Sequence, residues 1–223
     1  MITFEPLAGR GILFSSDANA VDIAHVGGKA AGLARLRDAG CDVPPWFVVT
    51  PDCNVDDHIL SDALERLTAP QCHANPAECH PDMVSAAAEL VEGCATTFAV
   101  RSSALAEDGA SASYAGQFAS LLFVPRHRVL DAIRRVRASA ASENVRAYAG
   151  RDGAAGGRRD IAMAVIVQRM VDGGASGVAF GIDPVDGSDV VVVTAAYGLA
   201  SGVVDGECTT DAWRVAHDGT IVT

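Results

Sequence analysis

The sequence predicts an α+β protein, because segments of helical and of strand character are mixed along its 223 residues. Apolar residues recur at helical spacing behind Gly27-Gly28, which indicates a helix there. Residues 161–196 carry β-branched, nearly continuous apolar runs between turn signals, the pattern of buried strands. With 49% hydrophobic and 20% charged residues, the chain has enough apolar material for one large domain or two small lobes.

The first hundred residues are predicted to contain three strands and three helices. The strands are short apolar runs, at residues 11–14, 46–50 and 97–100. The helices show apolar residues on one face, at residues 30–40, 55–67 and 82–92. In the first helix Ala30, Leu33, Ala34 and Leu36 have the helical spacing, and Gly40 stands where a left-handed cap belongs.

The remainder begins with a predicted strand at 119–124 and a long amphipathic helix at 126–149. We expect the apolar residues of that helix to point inward and its arginines to face water; the inward set is Val129, Leu130, Ile133, Val136 and Tyr148. Residues 150–160, rich in Gly and Arg, are expected to be a flexible connector. The runs at 161–167, 177–182 and 190–196 are predicted to form one buried sheet.

The net charge of the chain limits the classes of partner that it is expected to bind. The formal net charge is −11 and the isoelectric point is near 4.8, which argues against nucleic acid and anionic membranes, since both select basic surfaces. No apolar run reaches bilayer length, and the N-terminus lacks the basic region of a signal peptide. We therefore expect a cytoplasmic protein in which any phosphate binding is local.

The six cysteines are expected to be reduced thiols that mostly serve packing. Two dipeptides, Cys72-His73 and Cys79-His80, form the one segment where metal ligation is conceivable. They lack the short C-x-x-C spacing of a zinc knuckle, so a zinc site and a plain surface loop both remain open.

Arg101 follows the predicted strand at 97–100, so we expect it at a strand end beside a cleft. The loop behind it is made of residues with little bulk, whose backbone N–H groups can close on an anion: Gly109, Ala110, Ser111, Ala112, Ser113, Ala115 and Gly116. An arginine that stays charged at any working pH adds to such a phosphate site. The alternative is a surface loop in which Arg101 pairs with Glu107 or Asp108.

Lys29 is the only lysine of the chain and stands in the first turn of the predicted helix, behind two glycines. A lysine opposes the helix dipole there, so the position suits it when an anion arrives to meet it. The other sixteen basic residues are arginines, which makes this compact point charge a candidate phosphate ligand. The alternative is a solvated side chain.

A third candidate site lies at residues 168–171. Gln168 to Val171 close a predicted strand, and their backbone N–H and C=O groups could meet the edge of adenine beside the apolar Met170. The alternative is ordinary core packing, which is common for a methionine at a strand end.

Three segments, residues 26–50, 99–124 and 164–187, together resemble the N-terminal ATP-binding domain of the dikinase family, which includes phosphoenolpyruvate synthase, pyruvate phosphate dikinase and the rifampin phosphotransferases. The resemblance runs from about Val26 to Asp211, and we treat residues 1–223 as one such domain, incomplete at its C-terminus. It implies an ATP-grasp-like fold, in which two lobes with mixed or antiparallel sheets flanked by helices hold ATP, with a possible lobe boundary near residues 95–100. Family members transfer phosphate from ATP to a histidine on a separate domain.

The resemblance also implies roles for individual residues, with ATP and Mg²⁺ as cofactors. Lys29 and Arg101 correspond to residues that bind the ATP phosphates and serve catalysis. Gly116 lets the loop backbone approach the phosphates, and Ser120 keeps the hydroxyl of a position that is usually Thr. Three residues fall on the adenine-binding strand: Gln168, Met170 and Val171.

The chain departs from the family pattern in three respects. Ser201 stands where an acidic residue is common, the chain ends before the segment that supplies the Mg²⁺ ligands, and none of its six histidines lies in a phosphohistidine loop. We therefore expect a phosphotransferase part that needs a histidine-carrying domain or subunit, with an unspecified small-molecule acceptor and possible oligomerisation. The alternative is a non-catalytic nucleotide-binding or partner-docking module.

Overall fold

The computed structural model describes residues 11–17, 22–68, 96–104, 119–140, 162–171, 173–204, 206 and 208–222. The chain divides into two compact units, Met1–Met170 and Val171–Thr223. The predicted helix at 82–92 and the connector at 150–160 lie outside the described residues. The expected lobe boundary near residues 95–100 stays a prediction.

The first unit contains one antiparallel sheet of five strands with the spatial order β1-β2-β5-β3-β4. Its strands are β1 (Ile12–Phe14), β2 (Trp46–Val49), β3 (Thr97–Ala104), β4 (Ser120–Pro125) and β5 (Met163–Arg169). Its helices are α1 (Ile23–Asp38), α2 (Asp57–Thr68) and α3 (Val129–Ser139), the last preceded by a 3₁₀ turn at Arg126–Arg128. Helices with antiparallel sheets confirm the predicted α+β class.

Both faces of this sheet are covered, and the strand sequences show why. Successive side chains of a strand point to opposite faces. In β5, Val165 and Val167 belong to the apolar cluster that includes α2 and α3, whereas Ala164 and Ile166 belong to the cluster that includes α1. A strand buried on both faces is a continuous apolar run, as the sequence pattern indicated. We call the second side the α1 face.

Several predicted elements are confirmed within one to three residues. Strands β1, β2 and β4 match the runs at 11–14, 46–50 and 119–124, and α2 matches the helix at 55–67. Helix α1 ends as predicted: Gly40 has a φ of 83°, and the N–H groups of Gly40 and Cys41 donate to the carbonyls of Arg37 and Leu36. Leu36 is an exception, because it is exposed rather than part of the apolar face.

The long helix predicted at 126–149 is described as far as Ala140, and Tyr148 lies outside the described residues. Its apolar face is confirmed, but the expectation that all its arginines face water is wrong for Arg137. That side chain is half-buried and donates to the carbonyls of Thr50 at 2.6 Å and Cys53 at 2.9 Å. Burial lowers the pKa of Arg137 from its ordinary value and raises the pKa of the Cys53 thiol.

Strand β3 is longer than predicted, so placing Arg101 at a strand end was wrong. The strand continues to Ala104 because it lies between two partners and pairs with β5 along its length, as far as Met163. Two serines that the sequence placed beyond the strand, Ser102 and Ser103, are fully buried in it.

The second unit contains a three-stranded antiparallel sheet, β6 (Ala175–Phe180), β7 (Val191–Tyr197) and β8 (Asp211–Val215), and a short helix α4 (Ala200–Val204). The prediction of one buried sheet for the C-terminal third was wrong. The run at 161–167 became β5, which pairs with β2 and β3, and most β6–β8 residues are half-buried or exposed. Across the part of the chain that the structure covers, no helix has the length and apolar character to cross a membrane.

Candidate functional site

Helix α1 consists of two segments that meet at Gly27. Asp22 caps the first segment by accepting the Ala24 N–H at 3.0 Å, and its hydrogen bond with His25 lowers the pKa of Asp22. Gly27 has a φ of 77°, which interrupts the helical backbone. Lys29 therefore stands in the first turn of the second segment, as the sequence predicted.

The kink seats α1 directly on β3. A side chain at Gly27 would place its Cβ 2.4 Å from the Ser103 carbonyl oxygen, so the two backbones touch where a side chain cannot fit. Beside this contact, the Ala30 N–H donates to Ser103 Oγ at 3.2 Å. The start of the second segment is thus fixed to β3 by the main chain.

This docking places the Lys29 ammonium at the edge of β3. The half-buried Lys29 donates from Nζ to the buried Ser102 Oγ at 3.5 Å. Strand β4 pairs with β3 only as far as Arg101, where it begins at Ser120, so Ser102 lies past the end of that ladder. The hydrogen bond to Ser102 keeps the Lys29 ammonium beside the end of the β3–β4 ladder.

Arg101 lies on the α1 face at the same place. It is paired with Ile166 of β5, which packs in the apolar cluster with α1, and directly paired residues of an antiparallel sheet share a face. It is also the last β3 residue paired with β4. Arg101 therefore marks the end of the β3–β4 ladder, although the strand itself continues.

Ser120 completes this group. It is the partner of Arg101 across the ladder, which puts it on the same face, and it is exposed. Gly116, the fourth predicted phosphate-site residue, lies outside the described residues. The structure thus places Lys29, Arg101 and Ser120, from two strands and a helix start, around the end of the β3–β4 ladder: two cations and a hydroxyl that suit an anionic ligand.

The predicted adenine edge is only partly available. Gln168 is in the middle of the sheet, paired with Trp46 and Ala99, and its side-chain Nε2 donates to the Pro44 carbonyl at 3.2 Å. The Met170 N–H donates to the Thr97 carbonyl at 2.9 Å. The Gln168 side chain and the Met170 N–H are therefore already used in hydrogen bonds within the first unit. The reason is that β5 is a central strand whose backbone pairing continues past its last apolar residue.

Two residues of the predicted edge remain after that ladder. Met170 is half-buried, and Val171, the first residue of the second unit, is 53% exposed. Thr97, which holds Met170, is four residues from Arg101 on β3, about 13 Å along the strand. That separation is comparable to the span from the base to the phosphates of an extended nucleotide.

The described residues contain no group of three His, Cys, Asp or Glu side chains that could hold a metal ion. The predicted Cys72-His73 and Cys79-His80 segment lies outside the described residues. Of the three cysteines that the structure does describe, Cys53 is buried, whereas Cys41 and Cys208 are exposed, and none of the three is in a disulfide. Ser201 lies on α4 and is exposed.

Sequence reasoning missed the roles of Ser102 and Ser103. They bind Lys29 and the first turn of the α1 segment behind the kink. A signal was present, because two adjacent hydroxyls next to a buried apolar run need hydrogen-bond partners when they are buried with it. Their partner could not be inferred, since it lies 73 residues away in the sequence.

Comparison with known proteins identifies a family that matches this chain. The family described as pyruvate phosphate dikinase, AMP/ATP-binding domain, matches residues 71–222. This range includes Arg101, Ser120 and the segment at 168–171, and it begins after Lys29.

Three relatives match most of the chain. A rifampicin phosphotransferase of a Streptomyces species is 35% identical over 95% of this chain and 27% of its own length. The prodigiosin synthesizing transferase PigC of Serratia marcescens is 34% identical over 85% of this chain and 22% of its length. A probable phosphoenolpyruvate synthase of Methanothermobacter thermautotrophicus is 29% identical over 92% of this chain and 34% of its length. The chain thus spans about a quarter to a third of these curated relatives.

Proposed function

The chain belongs to the pyruvate phosphate dikinase AMP/ATP-binding domain family, and from this premise we propose that it is the ATP-binding part of a phosphotransferase. The two relatives named as a phosphotransferase and a phosphoenolpyruvate synthase support this class of activity. An ATP-grasp-like arrangement and a cytoplasmic location belong to the same proposal.

One observation carries the proposal: Lys29 and Arg101 both lie where the β3–β4 ladder ends. Lys29 donates to Ser102, the residue after Arg101, and Arg101 pairs with Ser120 and Ile166. Phosphoryl transfer depends mainly on positioned cations that neutralise phosphate oxygens, so this pair suits the triphosphate of ATP.

In the proposed reaction, ATP is cleaved to AMP. One of its two terminal phosphates passes to a histidine on another domain or chain and from there to a small-molecule acceptor, and the other is released to water as inorganic phosphate. The family resemblance supplies this route. It also fits the length comparison, because the chain spans only part of relatives whose names state a complete activity.

Mg²⁺ would shield the phosphates during transfer. Among the residues that the structure describes, no acidic cluster fits it, so we assign the metal to none of them. The proposal for this chain is limited to binding and orienting the triphosphate through Lys29, Arg101 and Ser120.

A second candidate function is a non-catalytic nucleotide sensor or docking module. Ser201 favours it, because its hydroxyl cannot supply the negative charge of the acidic residue common at that position of the family. Both candidate functions require nucleotide binding, but only the phosphotransferase would convert ATP to products.

A transfer assay separates the two. The chain would be incubated with labelled ATP and Mg²⁺, alone and with a purified phosphohistidine domain of a dikinase relative. We expect AMP and acid-labile phosphohistidine when both are present, and little of either from the chain alone. Lys29→Ala, assayed in parallel, should abolish the signal. ATP binding without AMP formation in any mixture would favour the sensor.

A further inference from the structure

Strand β4 has a β-bulge at its centre. Two of its residues, Leu122 and Phe123, oppose the single residue Ala99 of β3. Phe123 has a φ of 53°, in the left-handed region that bulky side chains rarely adopt. Bulges re-aim side chains, and this one directs two apolar residues out of the regular alternation of the strand.

The core does not use these two side chains. On either side of them, Leu121 and Val124 pack with the apolar cluster that includes α3. Leu122 and Phe123 are 41% and 46% exposed and belong to neither apolar cluster of the first unit. A half-exposed phenyl ring on an unfavourable backbone contributes little to folding, so stability alone does not explain Phe123.

The bulge lies beside the cation pair. Ala99 is two residues before Arg101 on β3, about 7 Å along the strand, and Ser120 is two residues before Leu122 on β4. In the opposite direction along β3, α1 is already seated on Ser103. A nucleotide whose phosphates meet Arg101 therefore extends toward Ala99 and the bulge.

Building on the proposed function, we propose that Leu122 and Phe123 form the surface against which the purine base of ATP packs. An aromatic ring with one open side suits the face of a base, and apolar walls with few polar groups are typical of nucleotide sites. In this arrangement Phe123 contacts the face of the base, whereas Met170, whose N–H donates to Thr97, would lie nearer its edge.

Calorimetric titration of Phe123→Ala with two probes, ATP and inorganic tripolyphosphate, tests the proposal. Loss of the ring should raise the Kd for ATP about tenfold, because a stacked base is lost, and should leave the Kd for tripolyphosphate unchanged. Phe180→Ala is the matched control: Phe180 is 45% exposed, on β6 of the other unit, and its loss should change neither value.

Phe123→Gly separates binding from folding. Glycine adopts a φ of 53° without strain, so its melting temperature should equal or exceed that of the wild type. Its ATP affinity should nevertheless fall as in Phe123→Ala.

Three results would overturn this inference. Wild-type affinity for ATP in both Phe123 variants would show that the ring contacts no base. Equal losses for ATP and tripolyphosphate would show that the bulge only supports the phosphate residues. Absence of ATP binding by the wild-type chain would overturn the proposed function and this inference together, which distinguishes that failure from the first two.

Discussion

Two different parts of the fold hold the two cations of the candidate site. Lys29 stands in the first turn after the Gly27 kink of α1, and its ammonium donates to Ser102. Arg101 lies within β3, where it pairs with Ile166 of β5 and with Ser120 of β4.

Removing either cation should weaken ATP binding and leave the fold intact. We expect Lys29→Ala and Arg101→Ala each to cost about 1 to 3 kcal/mol of ATP binding energy, the range for a lost charge-assisted hydrogen bond, with little change in melting temperature. Arg134→Ala is the control, because Arg134 is exposed on α3 and pairs only with Asp131 among the described contacts. A sharp fall in melting temperature with unchanged ATP affinity in Arg101→Ala would make Arg101 a structural residue.

The single lysine permits a test without mutation. An amine-reactive reagent can label only the N-terminus and Lys29, so mass spectrometry reads the two sites separately. ATP should slow labelling of Lys29 and leave labelling of the N-terminus unchanged, because a phosphate-bound ammonium is shielded from the reagent. Adenosine, which has no phosphates, serves as the control ligand. Equal labelling rates with and without saturating ATP would contradict the assignment.

The position of Lys29 depends on the packing of α1 against β3. Gly27→Ala should destabilise the protein by about 2 kcal/mol or more, because the new Cβ would lie 2.4 Å from the Ser103 carbonyl on a backbone with a φ of 77°. Gly32→Ala, in the same helix with nothing within 4 Å of the new Cβ, should stabilise by about 0.5 to 1 kcal/mol. Chemical denaturation measures both changes. Similar effects of the two substitutions would mean that α1 is not seated as described.

The β6–β7 connection predicts an acid response of the second unit. Arg214 contacts Asp186 at 3.0 Å and Asp183 at 3.1 Å, and hydrogen bonds with Ser188 and Arg214 lower the pKa of Asp186 from 3.8 to about 2. A carboxylate whose folded pKa is lowered stabilises the fold above its unfolded pKa, and that contribution is lost as the pH falls toward the folded value.

Hydrogen exchange of the β6–β8 amides between pH 6 and pH 2 would detect this loss. Protection should hold down to about pH 4 and then decrease as Asp186 takes up its proton. Asp186→Asn should show a smaller decrease over the same range, because it has no such proton to take up. An equal decrease in the variant would assign the acid response to other groups.

Over the whole molecule, the individual strands and helices were predictable, whereas the partners of the strands were not. Apolar runs and turn residues are local signals, and they gave β1, β2, β4 and α2 within a few residues. Assignment of β5 to the first sheet, and with it the length of β3 and the place of Arg101, depends on pairing with residues 59 to 122 positions away, which periodicity does not encode. The bulge at Phe123 was not predictable from local signals either, because a phenylalanine in the left-handed region contradicts the backbone preference of that residue type.

The proposed function requires this chain to bind ATP through the cations at the end of the β3–β4 ladder. Calorimetric titration of the wild-type chain with ATP in the presence of Mg²⁺ measures this binding, with Lys29→Ala and Arg134→Ala titrated under the same conditions. We predict saturable binding by the wild type and by Arg134→Ala, with a Kd raised about 5- to 150-fold in Lys29→Ala. No binding at millimolar ATP, or equal affinities in all three proteins, would contradict the account.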